Sequence, residues 1–496
     1  MNVLYKSTRN REMTVTASEA ILKGLAEDGG LFVPVEIPKL GISMGALKDM
    51  SYQQTAYEVM KEFFTDFTEE ELKTCIAKAY DDKFDTEEIA PLVKANGNYY
   101  LELFHGATIA FKDMALSILP HLLITAAKKN HVKEEIVILT ATSGDTGKAA
   151  LAGFADVEGT RIIVFYPKNG VSKVQERQMV TQKGNNTSVV AIHGNFDEAQ
   201  SGVKAMFEDK ELAEQMQQHG FRFSSANSIN IGRLVPQIVY YVYAYAKLLQ
   251  NEEIKEGEEI NVTVPTGNFG NILAAYYAKQ MGVPIGRLIC ASNENKVLFD
   301  FFETGTYDKN REFILTTSPS MDILISSNLE RLVYLISGQD SDKTSDLMRA
   351  LKSQGVYEID ASMKEKLCDF YAGFATEKQV ADQIHRIYEE TGYVIDTHTA
   401  VAAFVSDGYK EQTKDERKMV IASTASAYKF MKSVMNAIDE EQYGTREEFD
   451  LAEDLERLSC TAIPKAVKEL EQAEILHTKE CDPDRMENMV KTILDF

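Results

Sequence analysis

With 496 residues, 44% hydrophobic and 26% charged, the chain is long enough for two large lobes with additions, each able to bury a core without covalent staples. A formal net charge of −23 argues against nucleic acid or an anionic membrane as a partner, while a locally basic pocket could still take a small anion. Five scattered cysteines without a CxxC and eight histidines without HxxxH spacing read as reduced thiols and no zinc or other metal site; with no leader-like or membrane-spanning run, a cytoplasmic protein is expected.

Residues 1–95 read as a separate cap. Residues 5–9 start extended, 18–25 have the spacing of an amphipathic helix, and Asp28-Gly29-Gly30 turns into the apolar Leu31-Phe32-Val33. Helices follow over 52–65 and 68–80, with acidic N-terminal ends. Residues 99–104 then alternate apolar and charged as a half-buried strand does. His105-Gly106 breaks that period, and the apolar run 114–119 reads as a helix. Lys112 falls in its first turn beside Phe111, where helix N–H groups and apolar neighbours disfavour the charged amine. A neutral amine attacks carbonyls, so Lys112 is a Schiff-base candidate; a solvated lysine at a helix start is the plainer reading.

From residue 135 the pattern becomes strand, loop, helix, repeated. Buried strands are predicted at 136–139, 162–166, 188–192, 261–264, 288–291 and 419–422, with a long helix over 197–217. Continuous β-branched runs alternating with helices predict an α/β fold whose parallel sheets are covered on both faces. Residues 341–395 are helix-rich and charged, and 432–496 read as an acidic helical tail.

Ligands of such sheets sit where strand C-termini meet helix N-termini. Three junctions here are rich in small and hydroxyl residues. Thr142 to Gly147 can close its backbone on an anion and offer hydroxyls to a carboxylate; Gly147-Lys148 is not a Walker A ending, because Thr142 stands at the first glycine's place. Thr266 to Asn271, between a strand and a helix over 272–280, has the makings of a phosphate nest, or simply of a tight βα turn. Ser423 to Ser426 follows the last strand and could equally be a helix N-cap. A lysine, a phosphate nest and a hydroxyl at a strand end are the parts needed to hold pyridoxal phosphate.

These residues carry a resemblance. Leu103 to Asp113 is close to L-F-H-G-P-T-x-A-F-K-D, with Ala107 in place of proline, and Ala141 to Gly147 reads A-T-S-G-D-T-G. Asn227 to Arg233 fits N-S-I-N-x-x-R, Pro265 to Asn271 fits P-[ST]-G-N-F-G-[ND], His398 to Val401 is H-T-A-V, and Ser423 to Phe430 follows S-T-A-[HS]-P-A-K-F. In this order, from the first residues to about 435, the chain resembles the threonine synthase family of fold type II pyridoxal-phosphate enzymes; Tyr5 to Arg9 and Gly24 to Pro34 look like its long microbial form.

The resemblance implies two parallel-sheet lobes with helices on both faces, an N-terminal cap domain (1–95), a large cofactor-binding domain (96–125 and 230–431), a small domain (126–229) and a C-terminal helical extension (432–496). It implies pyridoxal 5′-phosphate as cofactor and conversion of O-phospho-L-homoserine and water to L-threonine and phosphate, by a monomer or homodimer. Carried over by position, Lys112 would form the Schiff base and move protons, and Phe111 would pack on the ring. Gly267, Asn268, Phe269, Gly270 and Asn271 would bind the cofactor phosphate, Thr424 would face the pyridine nitrogen, and Asp145 would lie near O3′. A hydroxyl opposite the pyridine nitrogen makes a moderated electron sink, suited to elimination and replacement. Ser143, Gly144 and Thr146, with Thr108, would grip the substrate, and Asn227, Ser228 and Arg233 would bind its phosphate. Two departures stand out. Gly170 occupies a usually basic position, for which Lys168 or Lys173 could substitute unless the loop binds nothing, and Ala427-Tyr428 replaces Pro-Ala. The rival readings are a related phospho-lyase or a dehydratase, and a non-catalytic binding descendant of the fold. A dehydratase needs no second phosphate site, and a descendant would be expected to lose Lys112 or a cofactor loop.

Overall fold

The structure is a computed structural model that describes residues 2–496 apart from Ser143, Ser172 and Glu471, with only the backbone of Lys173. Near the N-terminus, β1 (Tyr5–Ser7), β2 (Asn10–Val15) and β3 (Phe32–Pro34) form an antiparallel sheet of order β2-β1-β3. Helices Ala17–Lys23, Tyr52–Phe63 and Glu69–Ala79 start at Thr16, Ser51 and Thr68, each completing a capping box with the Glu or Gln three residues on. β4 (Leu92–Ala95) and β5 (Asn98–Glu102) then make an antiparallel hairpin.

β6 (Glu135–Ala141), β7 (Thr160–Pro167), β8 (Thr187–Ile192) and β9 (Phe221–Ser224) pair in parallel as the smaller sheet. β10 (Ile260–Pro265) and β11 (Ile285–Ser292) return to the larger one, β12 (Thr306–Asp308) and β13 (Val356–Glu358) form a separate ribbon, and β14 (Phe370–Phe374) and β15 (Lys418–Ser423) complete the larger sheet. Its order is β14-β11-β10-β15-β5-β4, parallel except for the edge strand β4. The smaller sheet has the order β16-β8-β7-β6-β9, where β16 (Lys479–Cys481) comes from the tail. The apolar helix Ile231–Gln250 is buried along almost its whole length and carries the core from the cap helices to the larger sheet.

Several elements differ from their sequence pattern. β5 is buried on both faces rather than half-buried, because Tyr99 and Leu101 pack into one apolar layer and Tyr100 into another, while its one charged residue, Glu102, accepts a hydrogen bond from Tyr393 Oη at 2.6 Å. Residues 114–119 do not form one helix: Asp113–Leu116 ends, and Leu119–Lys129 begins with Pro120 in its first turn. The helix expected over 197–217 breaks at Asp209, whose carboxylate caps Lys210–Gln218 by accepting from Glu211 N and Leu212 N. β13 and β14 lie within the stretch read as helical and charged.

The tail is helical with a strand added, and it touches both lobes. Its helices Met431–Ile438 and Ala452–Ser459 pack with Met419 and Ile421 of β15. Further on, Arg177 donates to Leu470 O and Ala473 O at 2.9 Å, and Leu476 N and His477 N donate to Val180 O. The last helix, Met486–Leu494, covers Val137, Leu139, Ile163 and Phe165 of the smaller sheet. Among the described residues no helix is long and apolar enough to cross a membrane, and no cluster of three His, Cys, Asp or Glu could hold a metal ion.

Candidate active site

Three neighbouring strands of the larger sheet, β10, β15 and β5, deliver three of the segments singled out in the sequence to one edge. Residues 266–271 follow β10, Thr424 follows β15, and His105 to Lys112 follows β5. Main-chain bonds lace the last two together: Leu103 N donates to Ser423 O at 2.9 Å, Phe111 N to Thr424 O at 2.8 Å and Ser426 N to Ile109 O at 3.1 Å. Ala110 pairs with Ala425 as an isolated antiparallel bridge. The loop after β6 and the segment after β9 come in from the smaller sheet.

Lys112 precedes the short helix Asp113–Leu116, and only 11% of its side chain is exposed. Its Nζ donates to Ser320 Oγ at 3.0 Å, lies 3.5 Å from Asp145 Oδ2 and stands 5.0 Å from the centre of the Phe111 ring. Burial pushes the amine below the ordinary lysine range; Asp145 opposes this, and the positive charges of Lys429 and Arg233 reinforce it.

Asp145 opens the helix Asp145–Phe154. Its carboxylate accepts from Ser320 Oγ at 2.9 Å and Gln175 Nε2 at 3.1 Å, and Lys429 Nζ lies 3.1 Å from Oδ1. Burial alone would raise its pKa, but the nearby Lys429 and Lys112 hold it well below the usual carboxylate range, so it is ionised. Ser320 N donates to His398 Nε2 at 3.2 Å, which places the imidazole proton on Nδ1, 2.7 Å from Asp396 Oδ2. Thr142 Oγ1 holds the loop after β6 by accepting from Gly144 N and Gly147 N, at 2.9 and 3.0 Å. Gly144 has φ 141°, which favours glycine, and Thr146 lies in the helix's first turn. Ser143 lies outside the described residues.

Between β10 and the helix Gly270–Met281, Phe269 adopts a left-handed conformation with φ 63°. The N–H groups of Gly267, Asn268, Phe269, Gly270 and Asn271 donate to no protein acceptor among the described residues. The carbonyls on the other side of the loop are pinned: Ser326 Oγ donates to Gly267 O at 2.6 Å, and Asn328 N and Nδ2 donate to Asn268 O at 3.0 and 2.9 Å. A Cβ on Gly267 would stand 2.4 Å from Ser320 O, so the lysine's hydroxyl partner and this loop are in backbone contact. Asn271 Oδ1 accepts from Tyr241 Oη, and its buried Nδ2 has no partner. Thr424 is buried, and its hydroxyl bonds to none of the described residues. A row of unused N–H donors, a buried low-pKa amine beside an aromatic ring, an unpaired hydroxyl and an orphaned amide together fit pyridoxal phosphate.

Arg233 lies in the first turn of Ile231–Gln250 and is 4% exposed. Its Nη1 donates to Ala226 O at 2.9 Å, while its buried Nε has no partner, and no carboxylate pairs with it among the described residues. Burial pushes its pKa down to about 10, which leaves it charged at neutral pH. Asn227 is exposed, and Ser228 Oγ is 3.5 Å from Asn328 Nδ2, so Asn328 joins this segment to the loop after β10. Arg331 fixes that join by donating to Asn328 Oδ1, to Ile229 O and to Phe32 O of the cap.

Comparison with known proteins agrees. Residues 85–425 match the family model of pyridoxal-phosphate dependent enzymes, residues 4–80 that of the threonine synthase N terminus and residues 399–480 that of the threonine synthase C-terminal region. Threonine synthase of Saccharomyces cerevisiae is 34% identical over 517 residues, covering 98% of both chains. The chain belongs to the threonine synthase family. Its cofactor is pyridoxal phosphate. The crystal structure of pyridoxal-phosphate-bound threonine synthase from Brucella melitensis superposes with a TM-score of 0.87 at 34% identity, covering 99% of this chain and 98% of that one. Threonine synthase-like 1 of Homo sapiens is 41% identical over 436 residues; the match takes in 85% of this chain and spans 58% of that relative's length.

Against the threonine synthase pattern, the two departures have structural accounts. Tyr428 Oη donates to Thr461 O at 2.7 Å and so ties down the tail. Lys168 pairs with Glu480 of β16 at 2.6 Å, and the side chain of Lys173 lies outside the description. Thr108 is fully buried, and its N–H and hydroxyl both donate to Asp113, at 2.7 and 2.6 Å, so it props the turn before Lys112 instead of offering a free hydroxyl to the cleft. Ser320, Lys429 and Asn328 carry no role in the sequence reading. Only Lys429 had a signal, its place in the motif after β15.

Proposed function

We propose that the chain is a threonine synthase, turning O-phospho-L-homoserine and water into L-threonine and phosphate, the last step of threonine biosynthesis. The observation that carries this reading is Arg233, a buried guanidinium with an unused Nε, near enough to Lys112 to depress its amine. A buried cation without a carboxylate is costly unless an anion comes to it, and the substrate's γ-phosphate is such an anion.

Bound at Lys112, pyridoxal phosphate supplies the electron sink that lets the substrate's Cα give up its proton. The N–H groups of Gly267 to Asn271 would hold the cofactor phosphate, Phe111 would pack at the ring, Thr424 would offer its hydroxyl to the pyridine nitrogen, and Asp145 would lie on the side of O3′. Gly144, Thr146 and Ser143 hold the substrate carboxylate, which sets Cα against Lys112 Nζ. Lys112 Nζ removes the Cα proton and then a Cβ proton. Asn227, Ser228 and Arg233 hold the γ-phosphate while it leaves. The proton taken from Cβ goes to Cγ, which becomes the methyl; water adds its oxygen at Cβ and gives up a proton to the released phosphate, and Lys112 returns a proton to Cα. The loop after β6 belongs to the smaller sheet, and Arg233 to the helix that carries the core to the larger one, so a substrate gripped at both ends draws the lobes together and excludes water until phosphate has gone.

A second reading, a lyase for a related phosphorylated amino acid, is favoured by one fact: identity is higher to threonine synthase-like 1 (41%) than to the yeast threonine synthase (34%). Incubation with O-phosphohomoserine, with phosphate release measured and the organic product identified, separates the two. Threonine in step with phosphate supports the first reading; 2-oxobutyrate alone, or no phosphate, overturns it.

A further inference from the structure

Two lysines and one carboxylate meet in the buried wall of the cleft. Lys429, with 1% of its side chain exposed, places Nζ 3.1 Å from Asp145 Oδ1 and also donates to Thr108 O at 3.1 Å. Lys112 approaches the other oxygen, at 3.5 Å, and gives its hydrogen bond to Ser320 Oγ, which itself donates to that oxygen. One carboxylate offsets one buried ammonium, so the lysines compete for it. Lys429 has the shorter contact and a carbonyl besides; Lys112 has a neutral hydroxyl. The surrounding charged groups do not redress this. Asp113 turns its carboxylate to Thr108, His398 is bonded to Asp396, Lys148 donates to Gln182 Oε1, and Arg233 has the same sign as Lys112.

We propose that Lys429 is a positioning residue: it is the standing counter-ion of Asp145, and by occupying that carboxylate it frees Lys112 to react as the neutral amine. Lys429 touches neither substrate nor cofactor in this role. The carboxylate stays ionised beside the cofactor without holding a proton on the lysine that must attack. The inference rests on Lys112 as the amine that carries the cofactor. That assignment has its own check, since borohydride reduction of the loaded protein must fix the cofactor's mass on the Lys112 peptide.

The test is the pH dependence of Lys112 acetylation by acetic anhydride against a reference amine, read by mass spectrometry on the full-length chain after cofactor removal. Lys429→Met should move the midpoint upward by about one pH unit or more, the scale of one neighbouring charge. Lys429→Arg should keep the parental midpoint, Asp145→Asn should lower it, and the double variant Asp145→Asn/Lys429→Met should return it close to the parent. A folded Lys429→Met with the parental midpoint overturns the proposal. Should that variant fail to fold, the double variant decides: a midpoint no different from that of Asp145→Asn alone overturns it.

Discussion

Arg233 and Lys112 are both buried cations, and the difference between them lies in what each is offered. Arg233 keeps its charge with no carboxylate paired to it among the described residues; burial, opposed by Asp145 and reinforced by Lys429 and Arg233, pushes Lys112 below the ordinary lysine range. Truncating a charge-assisted contact costs on the order of 1.5–3 kcal/mol, and ~1.4 kcal/mol is already a factor of ten. Arg233→Ala should therefore lower kcat/KM for O-phosphohomoserine at least about tenfold with the visible cofactor spectrum unchanged; a value within twofold of the parent would pass the phosphate-anchoring role to another cation. Lys112→Ala should lose the visible band and threonine formation while circular dichroism stays that of the parent, because the N–H row after β10 still holds the cofactor phosphate. A colourless variant with undiminished turnover would remove Lys112 from the mechanism. Lys112 was legible from its place at the first turn of a helix, and Arg233 only through the resemblance of residues 227–233 to the N-S-I-N-x-x-R motif. Ser320 was not: its partners Lys112 and Asp145 lie 208 and 175 residues away along the chain, and no local period marks a loop serine as their bridge. Lys429 had only its place in the motif after β15 to mark it, since nothing in a short turn tells a buried lysine from a solvated one.

At the scale of elements, the cleft depends on how closely the loop after β10 approaches the turn Pro319–Met321, which carries Ser320. A methyl at Gly267 would meet the Ser320 carbonyl at 2.4 Å, and backbone cannot swing aside as a side-chain tip can. Gly267→Ala should weaken pyridoxal-phosphate binding at least about tenfold in a spectroscopic titration and leave the melting temperature nearly unchanged; unaltered affinity would show that the loop yields. His105, just after β5, governs stability instead. Burial alone would lower its pKa, but hydrogen bonds to Asp85 and Glu102, at 2.5 and 3.0 Å, raise it from 6.5 to about 9. A folded-state value above the unfolded one stabilises fully below about pH 6.5 and fades as pH rises through about 9. The contribution is at most about 3 kcal/mol, reduced by the solvent around Asp85. Thermal unfolding of His105→Gln should accordingly lie below the parent at pH 6 and approach it by pH 10; parallel curves would show that His105 is neutral in the fold. Strands with β-branched runs were legible, and so was the nest. β14 was not, because Phe370-Tyr371-Ala372-Gly373-Phe374 is short, contains glycine and gains its place from pairing with β11.

For the molecule as a whole, the tail matters most. It leaves β15 on the larger lobe, is tied by Tyr428 and Arg177, and ends as the edge strand and covering helix of the smaller one. A chain ending at residue 477 would uncover β8 and lose Met486, Val490 and Leu494 from the apolar layer over Val137 and Phe165. We expect amide hydrogen exchange in β8 and Phe196–Glu208 to quicken at least about tenfold while β10 and β15 are unaffected. Equal exchange throughout would show that the smaller sheet stands alone. Two lobes could be read from the repeating strand–helix pattern, but not a tail shared by both: Lys479-Glu480-Cys481 has two exposed residues of three and no strand signature of its own. The same arrangement bears on how the protein is made. A ribosome adds roughly 5–20 residues per second, so the stretch from Ile192 to Lys479 takes roughly 15–60 s to emerge. Throughout that time the newborn smaller lobe presents the bare hydrogen-bonding edge of β8 to other chains, and β16 is the piece that closes it. Slow translation late in the message, or a shortage of holding chaperones, should therefore cost yield through that edge before it costs activity in the molecules that finish.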